Sequence, residues 1–246
     1  MREPAPVYLQ RFARFADLQG FTRETALPAE AGIELWTRPP AEEDAPVIFL
    51  SGGIHGDEPC GPEALLRFVA EWKFSGAAEW ILAPLLNPTG FEPGTRGNDA
   101  GIDLNRDFLR RACGETKALV DWWQRRPRPC HLHFSLHEDW EADGFYLYEI
   151  DTSGRGETLS PLILDSVSAV APLQRNGPVD GHALAAPGMI VHDAVADEPE
   201  GWPEAIWLAR TWPLQSYTFE APGQLPEETR VESLLAALRG ALGGLR

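Results

Sequence analysis

Short apolar runs alternate with amphipathic segments along most of the chain. Runs rich in aliphatic, β-branched and aromatic residues predict six strands, at 32–37, 47–51, 80–86, 131–136, 144–150 and 215–220. Segments with apolar positions on one face predict helices at about 61–73, 115–125, 157–170 and 226–242. In the last segment the apolar face consists of Val231, Leu234, Leu235, Leu238 and Leu242.

This alternation predicts an α/β fold with three layers, in which helices cover both faces of a mixed, mostly parallel, twisted sheet. The 22 Pro and 23 Gly residues are spread along the chain, and no linker, repeat or low-complexity tract divides it. We therefore expect one domain over residues 1–246. In such sheets ligands bind beyond the carboxyl ends of the strands, so catalytic side chains should directly follow strands.

Composition narrows the classes of protein. A hydrophobic content of 43% and a charged content of 24% indicate a globular core. The net charge of −16 argues against binding to nucleic acid or to an anionic membrane surface. Cys60, Cys113 and Cys130 have neither metal-ligand nor redox spacing, which fits a reducing compartment. The first residues have no apolar signal core and no run approaches a membrane span, so a cytoplasmic location is expected.

The turn after the second predicted strand carries the first candidate for chemistry. It reads Ser-Gly-Gly-Ile-His-Gly-Asp-Glu at 51–58 and precedes a predicted helix. His55 and Glu58 are three residues apart in this turn and can point at one spot. A nitrogen and an oxygen ligand there would be two thirds of a His2Glu zinc site.

The loop after the third predicted strand, at 87–108, is rich in Gly and turn formers and contains Arg96 and Arg106. An Arg held in such a loop can bind a carboxylate in bidentate fashion or donate to a developing oxyanion. The alternative is that both are solvated loop charges.

Two further candidate site residues lie at the ends of predicted strands. Alternation places His131, His133 and Ser135 on one face with His137, which ends its run and precedes Glu138-Asp139. Glu220 ends the apolar strand 215–220, where desolvation would raise its pKa toward the range of a general base. The alternatives are packed or solvent-facing histidines and a strand-end Glu that backbone N–H groups satisfy.

These blocks, in this order, resemble the zinc carboxypeptidase family and its succinylglutamate desuccinylase and aspartoacylase branch. They are His-x-x-Glu at 55–58, Asn-Pro-x-Gly followed after five residues by Arg96, Gly-x-Asp-Leu-Asn-Arg at 101–106, His137, and Thr-x-Glu ending at Glu220. The resemblance implies the zinc carboxypeptidase fold and metal-dependent hydrolysis of an amide bond.

The resemblance also implies a role for each matching residue. His55, Glu58 and His137 would hold one zinc with a water in the open position, and Asp103 would accept from the other ring nitrogen of His55. Glu220 would take a proton from that water and pass it to the leaving amine. Arg96 would stabilise the oxyanion, and Asn105 and Arg106 would bind the terminal carboxylate of the substrate.

The chain departs from the family pattern in one respect. Carboxypeptidases of this family have a mobile Tyr some twenty residues before the catalytic Glu, but no Tyr lies between Leu184 and Ser216. The interval instead contains His192 and the acidic stretch 193–204 with Trp202. This stretch either borders the specificity pocket, where it would favour a basic or neutral substrate residue, or forms a solvated surface loop.

Glu138 and Asp139, with His133 nearby, raise the question of a second metal. Adjacent residues on a strand point to opposite faces, so both carboxylates reach one ion only if the strand bends. One zinc is therefore expected.

The sequence leads to a zinc-dependent metallocarboxypeptidase acting on a short peptide. The first alternative is an N-acyl amino acid deacylase of the desuccinylase and aspartoacylase kind, and the longer loop to Arg96 favours the peptidase. An alternative of another class is an inactive carboxypeptidase-like binding module, although the ligands, the base and both arginines are present. The oligomeric state does not follow from the sequence.

Overall fold

The computed structural model describes residues 3–25, 32–194 and 201–245. In these ranges the helices are α1 (Ala5–Leu18), α2 (Cys60–Glu71), α3 (Pro88–Phe91), α4 (Gly114–Gln124), α5 (Ser160–Ser168), α6 (Glu204–Thr211) and α7 (Glu227–Leu242). The strands are β1 (Thr22–Thr25), β2 (Glu34–Arg38), β3 (Val47–Gly52), β4 (Glu79–Ala83), β5 (Leu132–Asp139), β6 (Tyr146–Asp151), β7 (Met189–Val191) and β8 (Gln215–Pro222).

All described strands form one mixed sheet in the order β1-β2-β4-β3-β5-β8-β6-β7. Its centre is parallel, because β4, β3, β5 and β8 run in the same direction. Antiparallel pairs join β1 to β2, β2 to β4 and β8 to β6. The predicted α/β fold with a mixed, mostly parallel sheet is confirmed.

The two faces of the sheet differ in polarity. One face carries Leu50, Phe134, Leu136 and Phe219 and packs on apolar residues of α1, α2, α5 and α7. The opposite face carries Phe49 and Ile81 against α4 and α6, and here apolar packing gives way to polar side chains. Polar groups in a buried sheet need partners, so this second face is where a functional site is expected.

Most predicted elements are confirmed to within a few residues. The predicted strand 80–86 ends at Ala83 because Pro84 has no N–H group for a ladder bond. The predicted helix 157–170 begins only at Ser160, with Pro161 in its first turn, where a missing N–H group is tolerated.

Helix α1 was missed because Pro4 and Pro6 suggest a loop, although Tyr8, Phe12 and Ala16 recur every four residues and are buried. Strands β1 and β7 have only 4 and 3 residues, too few for a periodicity to be read. No helix among the described residues is long and apolar enough to cross a membrane.

Candidate metal centre and active site

The carboxyl ends of three neighbouring parallel strands bring the predicted metal ligands and the predicted base together. His55 and Glu58 lie in the turn that follows β3, and His137 lies near the end of the adjacent β5. Glu220 on β8 is the register partner of His137. Neighbouring strands are about 4.8 Å apart, so the base stands directly beside a predicted ligand.

Two glycines allow this turn to pack tightly on the loop that carries Arg96. A Cβ at Gly56 would lie 2.2 Å from the carbonyl carbon of Gly90, and a Cβ at Gly90 would lie 2.5 Å from the carbonyl oxygen of Gly97. Any larger side chain at either position would push the loop away from His55.

The donor atoms of His55, Glu58 and His137 converge. Nδ1 of His55 lies 2.6 Å from Oε1 of Glu58, and Nδ1 of His137 lies 2.9 Å from Oε2 of the same carboxylate. Each residue can direct one ligand atom so that the three lie within 4.8 Å of one another, and all three residues are buried. A buried set of two imidazoles and one carboxylate is the donor set of a catalytic zinc site, so the residues fit the ion that the sequence predicts.

Electrostatics keep Glu58 ionised. Burial by itself would raise its pKa, but the charges and hydrogen bonds of His137 and His55 outweigh burial and lower the pKa to about 2. Burial would lower the pKa of His55, and here the charge of Glu58 and the hydrogen bond with Asp103 outweigh burial and raise the pKa. The ionised carboxylate of Glu58 therefore lies between two ring nitrogens, within reach of a cation that all three could bind.

Asn87 explains the Asn-Pro-x-Gly motif. Its Oδ1 accepts from the backbone N–H of Gly90 at 2.9 Å, which caps the short helix α3. Its Nδ2 donates to the carbonyl of Arg96 at 3.2 Å. One side chain therefore fixes both the start of the loop and the backbone of Arg96.

Asp103 connects that loop to the metal ligands. Its Oδ1 accepts from the backbone N–H of Asn105 at 2.9 Å and from Nε2 of His55 at 3.2 Å, and its Oδ2 accepts from Nε of Arg96 at 2.9 Å. Burial would raise its pKa, but the hydrogen bond and charge of His55 and the charge of Arg96 hold the pKa well below its usual value. An acceptor at Nε2 favours the ring proton on that nitrogen and leaves Nδ1 of His55 directed toward Glu58.

Arg96 stands at the edge of the site with its side chain 48% exposed, and its Nη1 lies 3.7 Å from Oε1 of Glu58. Asn105 and Arg106 belong to a 3₁₀ turn, Leu104–Arg106, on the same wall of the pocket. Oδ1 of Asn105 accepts from the backbone N–H of Glu204 at 2.9 Å, which leaves the amide NH2 group of Asn105 available to a ligand.

Glu220 faces the ligands from β8. Burial raises its pKa well above the ordinary value, and the charges of Glu58 and Asp139 raise the pKa further against the opposing charge of Arg96. A carboxyl group with a raised pKa next to a metal position suits a general base.

These residues line one pocket of about 620 Å³. Of the eight predicted site residues, all but Asp103 line this pocket. Its walls also include residues that the sequence did not single out, namely Tyr146, Tyr148, Asp180, His182 and Trp140. The tyrosines are spaced two apart on β6 and pair with Glu220 and Thr218, so period-two alternation would have placed them on the face of Glu220.

The carboxylates that follow His137 have partners of their own. Glu138 turns away, accepting from the backbone N–H of Cys60 at 2.7 Å and forming an ion pair with Arg230 on α7. Asp139 accepts from the hydroxyl of Tyr146 at 2.9 Å and lines the pocket. His133 lies in a buried network with Ser216 and Glu204 and does not line the pocket.

The described residues of the acidic stretch 193–204 fit neither of the two alternatives, a border of the pocket or a solvated surface loop, along their whole length. Its residues 195–200 lie outside the described residues. Pro203 in the described part of the stretch lines the pocket, as does His192, which directly precedes the stretch, whereas Asp193 is exposed. Trp202 packs under Arg210, with the guanidinium carbon 5.0 Å from the ring centre. Glu204, the last residue of the stretch, is buried and begins α6 instead of forming a surface loop.

Comparison with known proteins identifies the family. The profile of the succinylglutamate desuccinylase/aspartoacylase catalytic domain matches residues 44–171, slightly more than half of the 246 residues. The chain belongs to this family. The match contains the turn 55–58, the loop to Arg106 and His137, and ends before Glu220.

Curated relatives are carboxypeptidases. Carboxypeptidase SOL1 from Arabidopsis thaliana is 38% identical over an alignment of 112 positions, which covers 37% of this chain and 23% of that protein. Carboxypeptidase E from Caenorhabditis elegans is 39% identical over an alignment of 88 positions, which covers 26% of this chain and 18% of that protein. The aligned part therefore spans less than a quarter of either relative.

Solved structures share the fold over nearly the whole chain. A protein of Shewanella amazonensis SB2B whose name assigns it to the metallopeptidases has a TM-score of 0.83 at 24% identity, covering 97% of this chain and 92% of that one. A metallo-carboxypeptidase from Pseudomonas aeruginosa has a TM-score of 0.62 at 18% identity, covering 96% and 69%. The fold is the zinc carboxypeptidase-like fold that the sequence predicts.

Proposed function

We propose that the protein is a zinc-dependent metallocarboxypeptidase that hydrolyses the amide bond of the C-terminal residue of a short peptide. The observation that supports this most is the composition of one pocket, in which a buried ligand set and a base occur together with cationic and amide groups. The ligand set is His55, Glu58 and His137, the base is Glu220, and the facing groups are Arg96, Asn105 and Arg106.

One zinc ion suits the two imidazole nitrogens and the carboxylate that converge at the end of β3 and β5. Zinc bound there would lower the pKa of a coordinated water to about 7 and polarise the substrate carbonyl. The chain supplies the remaining chemistry, which consists of proton transfer, charge stabilisation and orientation of the substrate.

Glu220 acts first as a base and then as an acid. It accepts a proton from the attacking water and donates it to the nitrogen of the leaving amine, so the carboxylate is regenerated at the end of the turnover. Its raised pKa brings the carboxyl group closer to the pH at which both transfers are efficient.

Arg96 stabilises the oxyanion that forms when the carbonyl is attacked. Its guanidinium group is held by Asp103 at 2.9 Å, so its orientation is set before the substrate binds. Loss of one preorganised donor of this kind raises the barrier by about 3 kcal/mol.

Asn105 and Arg106 bind the carboxylate of the substrate and thereby select the end of a peptide. Arg106 is exposed at the pocket wall with Nη1 donating to the carbonyl of Asn105 at 2.8 Å, which leaves further N–H donors for a bidentate contact. Tyr148 on β6 lines the same pocket, and burial keeps its pKa above the ordinary value, so its hydroxyl is neutral; in this structure it donates to Oδ2 of Asp180 at 3.3 Å. This hydroxyl is a candidate for the contacts that the mobile family Tyr makes.

A second candidate is an N-acyl amino acid deacylase, and the family to which the chain belongs favours it. The same residues serve both reactions, since each substrate has an amide near a carboxylate. The names of the curated relatives and the long loop from Asn87 to Arg96 favour the peptidase.

Two measurements test the proposal. The purified protein should bind one equivalent of zinc, and the zinc form should hydrolyse dipeptides faster than N-succinyl or N-acetyl amino acids of the same residue. Faster turnover of the acyl amino acids would assign the protein to the deacylases. Zinc binding without hydrolysis in a broad peptide and acyl amino acid screen would favour the inactive binding module.

A further inference from the structure

A buried cluster of polar side chains lies beneath the pocket and has no part in the roles described so far. It consists of Ser51 on β3, His133 and Ser135 on β5, Ser216 on β8 and Glu204 at the start of α6. All five residues are buried, and Glu204 is only 1% exposed. Strand register explains the cluster, because Ser51 pairs with Ser135 and His133 pairs with Ser216.

Glu204 is the centre of the cluster. Its Oε2 accepts from Oγ of Ser51 at 2.6 Å and from Oγ of Ser135 at 3.3 Å, and lies 3.3 Å from Nε2 of His133. Its Oε1 is buried and has no hydrogen-bond partner within the described ranges. Burial of a carboxylate with one unpaired oxygen carries a desolvation cost, which raises the question of what else this residue does.

Ser135 connects Glu204 to the metal centre. Its hydroxyl lies 3.1 Å from Nε2 of His137 and has one proton to donate. When that proton goes to Oε2 of Glu204, the hydroxyl oxygen can only accept from His137, so Nε2 of His137 must hold the ring proton. Nδ1 of His137 then presents its lone pair beside Glu58, at the predicted metal position.

The arrangement has a counterpart at the other histidine. Asp103 accepts directly from Nε2 of His55 and fixes the same tautomer. A carboxylate behind a ligating histidine sets its orientation and basicity, and loss of such a partner weakens metal binding by about 10- to 100-fold. Glu204 would do for His137, through one hydroxyl, what Asp103 does for His55 by direct contact.

We propose that Glu204 is a positioning residue of the metal centre, which fixes the tautomer and orientation of His137 through Ser135. This inference rests on the proposed metal-dependent function. The backbone N–H of Glu204 also donates to Oδ1 of Asn105. The first turn of α6 therefore contacts both the side chains behind His137 and a residue that is proposed to bind the substrate.

Zinc affinity of the metal-free protein, measured by competition with a chelator, is the main test. Glu204→Met removes the acceptor, and Ser135→Ala removes the connecting hydroxyl. Each should weaken zinc binding by about 10- to 100-fold. Glu204→Gln keeps an acceptor oxygen without the charge and should fall between Glu204→Met and the wild type.

The double variant separates a relay from two unrelated effects. If Glu204 acts through Ser135, then Glu204→Met combined with Ser135→Ala should bind zinc no more than about twofold more weakly than the weaker single variant. A loss of zinc affinity in the double variant equal to the product of the two single losses would contradict the action of Glu204 through Ser135. Ser135→Ala alone still tests it if Glu204→Met does not fold.

A matched control distinguishes positioning from a structural role. Glu149 is a buried carboxylate that accepts hydrogen bonds from the hydroxyls of Thr158 and Ser160, and it does not line the pocket. Glu149→Met should therefore lower the melting temperature of the metal-free protein without changing zinc affinity. A structural role for Glu204 predicts that same pattern for Glu204→Met, and unchanged zinc affinity would overturn the inference. A wild-type protein that binds no zinc would overturn the metal centre together with the inference.

Discussion

The two sides of the metal position are built in different ways. On the side of His55 the supporting groups belong to loops and are open to solvent, with 48% of the Arg96 side chain and 27% of the Asp103 side chain exposed. On the side of His137 they belong to the sheet and the helices packed on it, and Ser135, Glu138 and Glu204 are all buried.

This difference in exposure suggests that the two sides have different tasks, contact with the substrate on the loop side and support of the predicted metal ligand on the strand side. The loop side presents cationic and amide groups to the pocket, where a substrate can reach them. The strand side places the predicted ligand His137 and the predicted base Glu220 side by side, with buried polar side chains behind His137. Charges are screened weakly in such buried surroundings, so each partner there has a larger effect. Substitutions on the loop side should therefore affect the reaction with little effect on folding, whereas those on the strand side should also affect stability.

The largest expected effect is on the strand side. Glu220→Gln removes the base and should lower kcat by about 10²- to 10⁴-fold, because proton transfer contributes a factor of this size. Zinc affinity should stay nearly unchanged, since Glu220 is not a ligand. Kinetics at saturating substrate, with Glu149→Gln as a matched control, would measure this. A variant that keeps most of its activity would remove Glu220 from the role of base.

The next effect is on the loop side. Arg96→Gln should lower kcat by about 10²- to 10³-fold through loss of an oxyanion donor, with unchanged stability. Arg106→Gln should instead raise KM, because it weakens binding of the substrate carboxylate. The exposed Arg110→Gln serves as the control for both. A rise in KM alone for Arg96→Gln would assign Arg96 to substrate binding.

A smaller effect compares the supports of the two histidines. Asp103→Asn should weaken zinc binding by about 10- to 100-fold, because the amide no longer favours the same tautomer of His55. The exposed Asp99→Asn, in the same loop, should leave zinc affinity unchanged. Direct contact should make the loss at Asp103 at least as large as the loss at Glu204, and the reverse order would contradict this comparison.

The smallest effect is on stability. A carboxyl group whose pKa is raised in the folded protein stabilises the fold below its unfolded pKa, about 4.3, and that contribution is lost as pH rises through the folded pKa. The melting temperatures of metal-free wild type and Glu220→Gln should therefore agree at pH 4, and the variant should melt a few degrees higher at pH 8. Thermal unfolding across this range measures the difference, and an offset independent of pH would contradict the assigned cause.

The loop side was largely predictable because its groups are neighbours along the chain. His55 and Glu58 share one turn, and Asp103 caps the 3₁₀ turn that contains Asn105 and Arg106. Local spacing brings such residues together in nearly any packing of the loop. The place of His137 and Glu220 at strand ends was also readable, since parallel strands end at one edge of the sheet.

The strand side was predictable only in part. Glu204 was assigned to an acidic stretch, although Pro203-Glu204 before Ala-Ile-Trp-Leu-Ala is a helix start with an acidic first turn. Even with α6 in place, nothing local indicates that it lies over β5. The ion pair of Glu138 with Arg230 joins residues 92 positions apart and has no sequence signal either.

The sequence by itself determined the fold class, because the apolar pattern of its strands and helices suffices for this. It predicted the metal ligands and the substrate-facing groups through the order of motifs that resembles the zinc carboxypeptidase family. The tertiary structure decided which groups stand behind them. Strand register aligned Ser51 with Ser135 and His137 with Glu220, and packing of α6 on the sheet brought Glu204 to Ser135. Contacts of this kind depend on how separate elements dock, and that is set by the whole core and not by any one segment.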